Sequence, residues 1–378
     1  MSDIFTRLTR NRHAELALRI LTVLGLLFLF LVGVKGLSEG LSMMGNGFAK
    51  TLFGLTENPM MALMAGMLAT VLFQSSSVTT SIIVGLVAAG TISVGGAVPM
   101  IMGANLGTSV TNTLVSLGFI KNRTNFQRAF AAATVHDFFN ILTVIVLLPI
   151  ELATGFIEKS ATALAKVLYG TTMGLDYSSP IKTAIKPLVG FFKHFTLQHF
   201  TADVAPYLMM AIAGFIIVTT LGLIVRTMSH YIEENENHLI ETILAKNSYV
   251  TAVIGVLVTI SVQSSSITTS LLIPLAGTGM LTLNTVYAVS VGANIGTTVT
   301  ALIAALTGNM AGLAIALVHL LFNLLGTLIF FMHPFMRRFP ISCAEALASS
   351  IQRTKFIGIG YVGIVFFCLP ISLIFLFR

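Results

Sequence analysis

Charge is what this chain has least of. Of its 378 residues only 9% are charged, while 55% are hydrophobic. An ordinary soluble domain carries about 25% charged residues, so a soluble fold of this length would lack the exterior that keeps it in solution. A mean hydropathy of +0.93 agrees. The composition is that of a polytopic membrane protein. Cysteine is nearly missing too. Cys343 and Cys368 cannot build a disulfide framework and have no metal-ligand spacing. No small-residue cleavage site follows the first apolar run, so no signal peptide is expected. The charges that are present lean one way, 21 Lys and Arg against 14 Asp and Glu, net +7. On a soluble chain that excess would point to nucleic acid; here it is what cytoplasmic loops require.

What the chain has in quantity is apolar runs. Ile20–Val34 is short but bracketed by Arg19 and Lys35, which can snorkel to the interface. Longer runs are Val94–Leu117, Ala129–Ile150, Tyr207–Val225, Leu283–Leu306, Ala311–Met332 and Phe356–Phe377. Two further stretches, 58–90 and 247–279, are interrupted by the polar blocks Gln74-Ser75-Ser76-Ser77 and Gln263-Ser264-Ser265-Ser266. The arms beside each block, at about 1.5 Å per residue, reach roughly 20–24 Å, short of the ~30 Å hydrocarbon core. One straight helix through either stretch would be far too long. A re-entrant hairpin with a polar tip fits better. Asn58-Pro59 reads as an N-cap with proline at the first helical position, and Pro274 would break a continuous helix in the second stretch.

The chain also repeats itself. Gln74-Ser-Ser-Ser-Val-Thr-Thr-Ser81 returns 189 positions later as Gln263-Ser-Ser-Ser-Ile-Thr-Thr-Ser270. Gly103-Ala-Asn-Leu-Gly-Thr108 returns at the same offset as Gly292-Ala-Asn-Ile-Gly-Thr297, with Thr111 and Thr300 in register. His136 and Asn140 match His319 and Asn323, both pairs spaced i, i+4. Each copy holds one span, one hairpin and two more spans, hence three crossings, so the second copy starts from the other side and is inverted. The expected organisation is a cytoplasmic N-terminus (1–19), a first repeat (20–150, hairpin about 58–90), an external linker (151–206), a second repeat (207–332, hairpin about 247–279) and a C-terminal segment (333–378) with a last span. Arg7, Arg10, Arg12, Arg19, Lys121, Arg123, Arg128, Arg226, Lys246, Arg337, Arg338, Arg353 and Lys355 then all fall inside. The fold class is all-α, with broken helices meeting near the midplane in the manner of secondary transporters.

Neither tip contains Asp, Glu, His or Lys. Hydroxyls, side-chain carbonyls and freed backbone carbonyls are hard oxygen donors suited to Na⁺, while half-helix N-termini suit an oxyanion. Bland readings compete: a single membrane Ser or Thr usually bonds its own backbone, and Gly-Ala-Asn-x-Gly-Thr could be small-residue packing. His136, Asn140, His319 and Asn323 read better as polar contacts holding hairpin to helix than as ligands. Asp137, which has Leu320 at the matching position, reads as structural or interfacial. Lys35, Glu39 and Glu57 read as solvated boundary residues.

The twin Gln-Ser-Ser-Ser blocks, the run 103–113, Arg128-Ala-Phe through His136-Asp-Phe-Phe-Asn140, and Leu147-Leu-Pro-Ile-Glu151 resemble the type II sodium–phosphate cotransporter family over roughly 20–377. The resemblance implies Na⁺-coupled import of inorganic phosphate, with elevator-like movement of the hairpin-bearing part, no cofactor beyond Na⁺ as coupling ion, and no catalysis. It implies a phosphate cradle of Ser75, Ser76, Ser77, Ser264, Ser265 and Ser266. Na⁺ would be held by Gln74, Thr79, Asn105, Thr108, Gln263, Thr268, Asn294, Thr297 and Thr300. Electrogenic animal members carry Asp, linked to an additional Na⁺, where this chain has Asn122; Asn122 and Asp137 are the candidates for such a site. The short tails and cysteine-free linker look bacterial, which implies the inner membrane. The implied partners are phosphate, Na⁺ and the bilayer, with a homodimer a further expectation and nucleic acid excluded. Sulfate or arsenate is the runner-up substrate. An intramembrane enzyme with a tip serine as nucleophile is the alternative of another class. It lacks a Gly-x-Ser-x-Gly elbow, and its nearest repeated histidines are 55–60 residues away.

Overall fold

The computed structural model describes residues 12–44, 57–173, 180–233, 247–351, 354 and 356–377. Arg7, Arg10, Lys246, Arg353 and Lys355, which enter the charge argument, lie outside the described residues. Regular structure among the described residues is helical throughout. The first half contains α1 (Arg12–Met43), α2 (Pro59–Phe73), α3 (Ser76–Ala88), α4 (Val94–Gly107), α5 (Val110–Leu117) and α6 (Arg123–Thr154). Between the halves lie α7 (Phe156–Met173) and α8 (Pro180–His199). The second half contains α9 (Ala205–Glu233), α10 (Ser248–Val262), α11 (Ser265–Ser270), α12 (Leu272–Thr278), α13 (Leu283–Ala305) and α14 (Met310–Thr327). After these come α15 (Pro334–Ser350), α16 (Phe356–Gly363) and α17 (Leu369–Leu376). The chain is a multi-pass membrane protein: six helical stretches among the described residues are long and apolar enough to cross a bilayer, against seven expected spans. The exception is Val94–Leu117, which is broken between Gly107 and Val110; its counterpart in the second half, α13, is continuous.

Helix starts are set by short polar residues. Asn58 Oδ1 accepts from the Met60 N–H at 2.9 Å with Pro59 in the first turn. Ser93 caps Gly96 (3.0 Å), Asn247 caps Val250 (2.9 Å), Thr282 caps Thr285 (3.2 Å) and Asn309 caps Gly312 (3.1 Å). Each cap satisfies a first-turn N–H that the helix itself leaves unpaired.

Both interrupted stretches fold back on themselves as helical hairpins. A Cβ on Gly66 would meet Met100, one on Gly103 would meet Leu63 and Met67, and one on Gly107 would meet Met67 and Thr70. These contacts run in the same direction, so α2 and α4 are parallel and start at the same end. Only residues 89–93 separate α3 from α4, so α3 must return to that end. The second half repeats this: Gly255 faces Val289, Gly292 faces Ala252 and Val256, and Gly296 faces Val256 and Thr259. The breaks fall at Gln74 and Gln263 rather than at Pro274, which lies within α12 after a step at Leu271.

The first long helices of the two halves, α1 and α9, run antiparallel: Gly33 faces Ile217, Gly36 faces Ala213 and Gly40 faces Met210. Small residues here let the two backbones approach closely. The exit of hairpin 1 lies against the turn before α14, where the Asn309 amide donates to Ala88 O at 3.0 Å. The exit of hairpin 2 lies against the start of α6 and the turn before it, with Gly277 facing Asn125 and Phe119 and Gly279 facing Arg128.

Candidate functional site

The tips are built alike. Gln74 (φ 50°, ψ 30°) and Gln263 (φ 57°, ψ 26°) end the descending arms in the left-handed region and are the only non-glycine residues with positive φ among the described residues. Ser75 (φ −154°) and Ser264 (φ −152°) follow in extended conformation and cap the ascending arms, accepting from Val78 N–H (3.3 Å) and Ile267 N–H (3.4 Å). Thr79 and Thr268 donate back to Ser75 O (3.2 Å) and Ser264 O (3.1 Å). Glycine adopts this left-handed turn at no steric cost, whereas glutamine does not. A side chain kept there twice at that cost suggests a side-chain function.

The two tips touch. Ser77 Oγ donates to Gln263 O at 3.4 Å across 186 residues of sequence. Around them Ser76, Ser77, Thr79, Asn105, Thr108, Gln263, Ser265, Thr268, Asn294, Thr297 and Thr300 are buried, and Ser75, Ser264 and Ser266 sit at the margin of burial. No cluster of three His, Cys, Asp or Glu lies together among the described residues. Residues 74–81 and 263–270 contain no ionisable side chain, so donors and acceptors at the tips are neutral hydroxyls, amides and carbonyls.

Equivalent atoms do not make equivalent bonds. Gln263 is docked: its Oε1 accepts from Thr300 Oγ1 at 2.8 Å and its Nε2 donates to Ile260 O at 2.6 Å. Gln74 is exposed, and Thr111, the counterpart of Thr300, is half-buried with its hydroxyl oxygen buried and unpartnered. Likewise Thr259 donates to Thr268 at 2.9 Å, while its counterpart Thr70 is buried and unpartnered. The first tip thus retains unspent buried oxygens where the second has closed on itself.

Below the tips a buried polar chain ties the halves together. His136 Nε2 lies 2.6 Å from Asn294 Oδ1, and Asn294 Nδ2 donates to Asn140 Oδ1 at 2.8 Å. Asn140 Nδ2 donates to Asn105 O at 2.9 Å, and Asn323 Nδ2 to Asn105 Oδ1 at 3.2 Å. The pairs Asn294–Asn140 and Asn105–Asn323 exchange under the repeat, as in an isologous contact about a two-fold axis. Of the four residues read from the sequence as holding hairpin to helix, His136, Asn140 and Asn323 instead clasp Asn105 and Asn294, on the helices that follow the hairpins, and His319 is buried with neither ring nitrogen partnered. Thr108 and Thr297 donate within their own helices, to Ala104 O (3.0 Å) and Ala293 O (2.9 Å).

The profile of the Na⁺/Pi-cotransporter family matches residues 29–175 and 197–369. The chain belongs to that family. It is similar to sodium-dependent phosphate transport protein 2A of Rattus norvegicus, 32% identical over 431 aligned positions covering 95% of this chain and 67% of the rat protein. It is similar to protein 2B of Homo sapiens, 30% identical over 446 positions covering 94% of this chain and 64% of the human one. A shorter alignment to protein 2A of Oryctolagus cuniculus is 43% identical over 180 residues, 47% of this chain and 28% of that protein. The chain thus spans about two thirds of its relatives' length. No solved structure matches it.

In this cotransporter Asn122 and Asp137 do not meet. They lie fifteen residues apart on one helical stretch, roughly 22 Å at 1.5 Å per residue. Asn122 is exposed and its Oδ1 caps the Asn125 N–H at 3.1 Å. Asp137 is buried, and Tyr361 Oη donates to its Oδ2 at 3.0 Å. Sequence reasoning missed a second bridge between the halves. Asn112 Nδ2 and Thr269 Oγ1 lie 2.9 Å apart, with Thr269 also donating to Asn112 Oδ1 at 3.0 Å. Both residues lie inside the motifs, but Asn112 has Ala301 as its counterpart, so the repeat gave no signal for it.

Proposed function

We propose that this cotransporter imports inorganic phosphate coupled to Na⁺, binding both between the two hairpin tips near the bilayer midplane. The observation that carries the reading is the contact of the tips at Ser77 and Gln263 inside a buried, uncharged cradle. Serines 75–77 and 264–266, with the N-terminal N–H groups of α3 and α11, suit an oxyanion. Gln74, Thr79, Asn105, Thr108, Gln263, Thr268, Asn294, Thr297 and Thr300 offer the neutral oxygens a Na⁺ ion accepts. The unpartnered hydroxyls of Thr70 and Thr111 mark the first-tip side as the one with donors to spare.

The repeats at 20–150 and 207–332 are read as inverted. Antiparallel α1 and α9 support this, since copies related by an axis along the membrane normal would place them parallel. The reciprocal hairpin–turn contacts support it too. Residues 1–19 would lie in the cytoplasm, the linker 151–206 outside, and the protein in the inner membrane. Movement of the hairpin-bearing part against α1 and α9 would alternate access to the cradle.

Phosphate uptake into proteoliposomes, with and without an inward Na⁺ gradient, tests the reading. Uptake that requires Na⁺ and that excess sulfate leaves unaffected is expected. Uptake of sulfate in preference to phosphate would replace the substrate, and no transport of either would remove the reading.

A further inference from the structure

A cavity of about 460 Å³ opens away from the tips, at the end of the molecule where hairpin 1 begins. Lys35 and Glu39 of α1, Lys186 and Lys193 of α8, and Ala88 and Asn309 line it. Glu39 spends both oxygens, one on Lys35 Nζ (3.1 Å) and one on Lys193 Nζ (3.0 Å). Lys186 has no ion-pair partner among the described residues. Three ammonium groups against one carboxylate leave two positive charges in excess. The N-terminus of the 18-residue helix α14, at Asn309, turns a positive dipole end toward the same space, set against the negative C-terminal ends of α3 at Ala88 and of α13 before Thr307.

The opposite face of α8 carries exposed Leu188, Phe191 and Phe195. A helix with aromatic residues on one side and lysines on the other lies in the membrane interface, with its ammonium groups at headgroup depth. The cavity also joins two parts of the fold. α1 and α8 form one wall, and the exit of hairpin 1 with the turn before α14 forms the other.

We propose that this cavity is an accessory site for a phosphate group, separate from the tips and held by Lys35, Lys186, Lys193 and the N-terminus of α14. The group has two sources, free phosphate and the headgroup of an anionic phospholipid. Its placement on the outer face rests on the topology proposed above; the site itself does not. An occupant would bridge the two walls and so bias the movement of hairpin 1.

The test uses the full-length protein without Na⁺ and measures binding rather than transport. Thermal unfolding in detergent is followed against added inorganic phosphate in one arm and added phosphatidylglycerol in the other, for wild type, Lys186→Gln and Lys186→Arg. Lys186 is exposed and outside the Glu39 pairs, so Lys186→Gln is expected to fold normally. Wild type is expected to be stabilised in at least one arm, with Lys186→Gln needing roughly tenfold more of that probe, the loss expected for one charge-assisted contact, and Lys186→Arg behaving as wild type. Stabilisation by phosphate alone names free phosphate as the source, and stabilisation by phosphatidylglycerol alone names the lipid. A wild type indifferent to both, or a Lys186→Gln protein that titrates like wild type, overturns the site. Because no uptake is measured, a protein that fails to transport phosphate leaves this result standing.

Discussion

Gln74 and Gln263 hold a backbone conformation that L-residues enter at a cost of roughly 1–2 kcal/mol. Replacing either with glycine relieves that cost and removes the amide oxygen. Gln74→Gly and Gln263→Gly are therefore expected to fold and insert while losing Na⁺-driven phosphate uptake, as are Gln74→Ala and Gln263→Ala. The two sites should still differ in stability. Removing the Gln263 side chain strips Thr300 of its acceptor, leaving a buried hydroxyl unpaired at a cost of about 1–3 kcal/mol. Gln74 is exposed, so its loss should cost little. Melting in detergent beside uptake in liposomes separates these effects, and wild-type uptake in both glycine variants would rule out the side chains as ligands. The repeat picked out both glutamines from sequence alone. That one docks on Thr300 while the other faces outward depends on how each hairpin meets its neighbours, and identical motifs carry no trace of it.

Each hairpin is seated by glycine on the helix that follows it. A Cβ on Gly103 would lie 1.8 Å from Leu63 O, and one on Gly292 would lie 1.9 Å from Ala252 O. Backbone atoms cannot step aside as a flexible side chain can. Gly103→Ala and Gly292→Ala should each push a hairpin off its helix, costing about 1–3 kcal/mol or more. Gly360→Ala, with nothing within 4 Å, should be neutral or slightly stabilising. Size-exclusion profiles and melting temperatures of the three proteins would decide this, and an unchanged Gly103→Ala would show that the close approach is dispensable. A second contact pins the last helices: Tyr361 donates to buried Asp137. Tyr361→Phe should cost about 1–3 kcal/mol by removing the donor to the buried Asp137 Oδ2. Asp137→Asn should recover much of that loss in the double variant. A double-variant cycle read by thermal melting checks the coupling.

At the scale of the whole molecule, inverted repeats place matching turns on opposite sides of the membrane. In a background lacking Cys343 and Cys368, Thr201→Cys should react with an impermeant maleimide from outside. Met280→Cys, whose position is 57% exposed at the exit of hairpin 2, should react only after permeabilisation. Labelling of both from one side would contradict the inversion. Charge movement is the other molecular property. Carrying divalent phosphate inward against 100 mV costs about 4.6 kcal/mol, at roughly 2.3 kcal/mol per charge. Two Na⁺ cancel that charge, and a third would make uptake electrogenic. Asn122 is exposed with its Oδ1 on a helix cap, and Asp137, with Oδ2 on Tyr361 and Oδ1 unpartnered, lies roughly 22 Å further along the same helical stretch, so the two do not form a third ion site together. Near-electroneutral uptake with divalent phosphate is expected, read as the reversal potential in voltage-controlled liposomes. A current of one positive charge per phosphate would mean a third ion bound elsewhere.

Membrane class, the duplication, the polar tips and most spans are legible in the sequence alone. These follow from local quantities: charge density, run length against bilayer thickness, and an offset of 189 held through both motifs. The sequence did not determine that Val94–Leu117 is broken at Thr108 and Ser109 while α13 runs on unbroken, since both contain the same Gly-Ala-Asn-x-Gly-Thr segment. Nor did it determine that Asp137 is buried against Tyr361, 224 positions away, or that Asn112 reaches Thr269. Each of these is a pairing between side chains distant along the chain. Such partners are chosen by how the helices pack, because the bilayer core offers a buried polar group no water to bond instead.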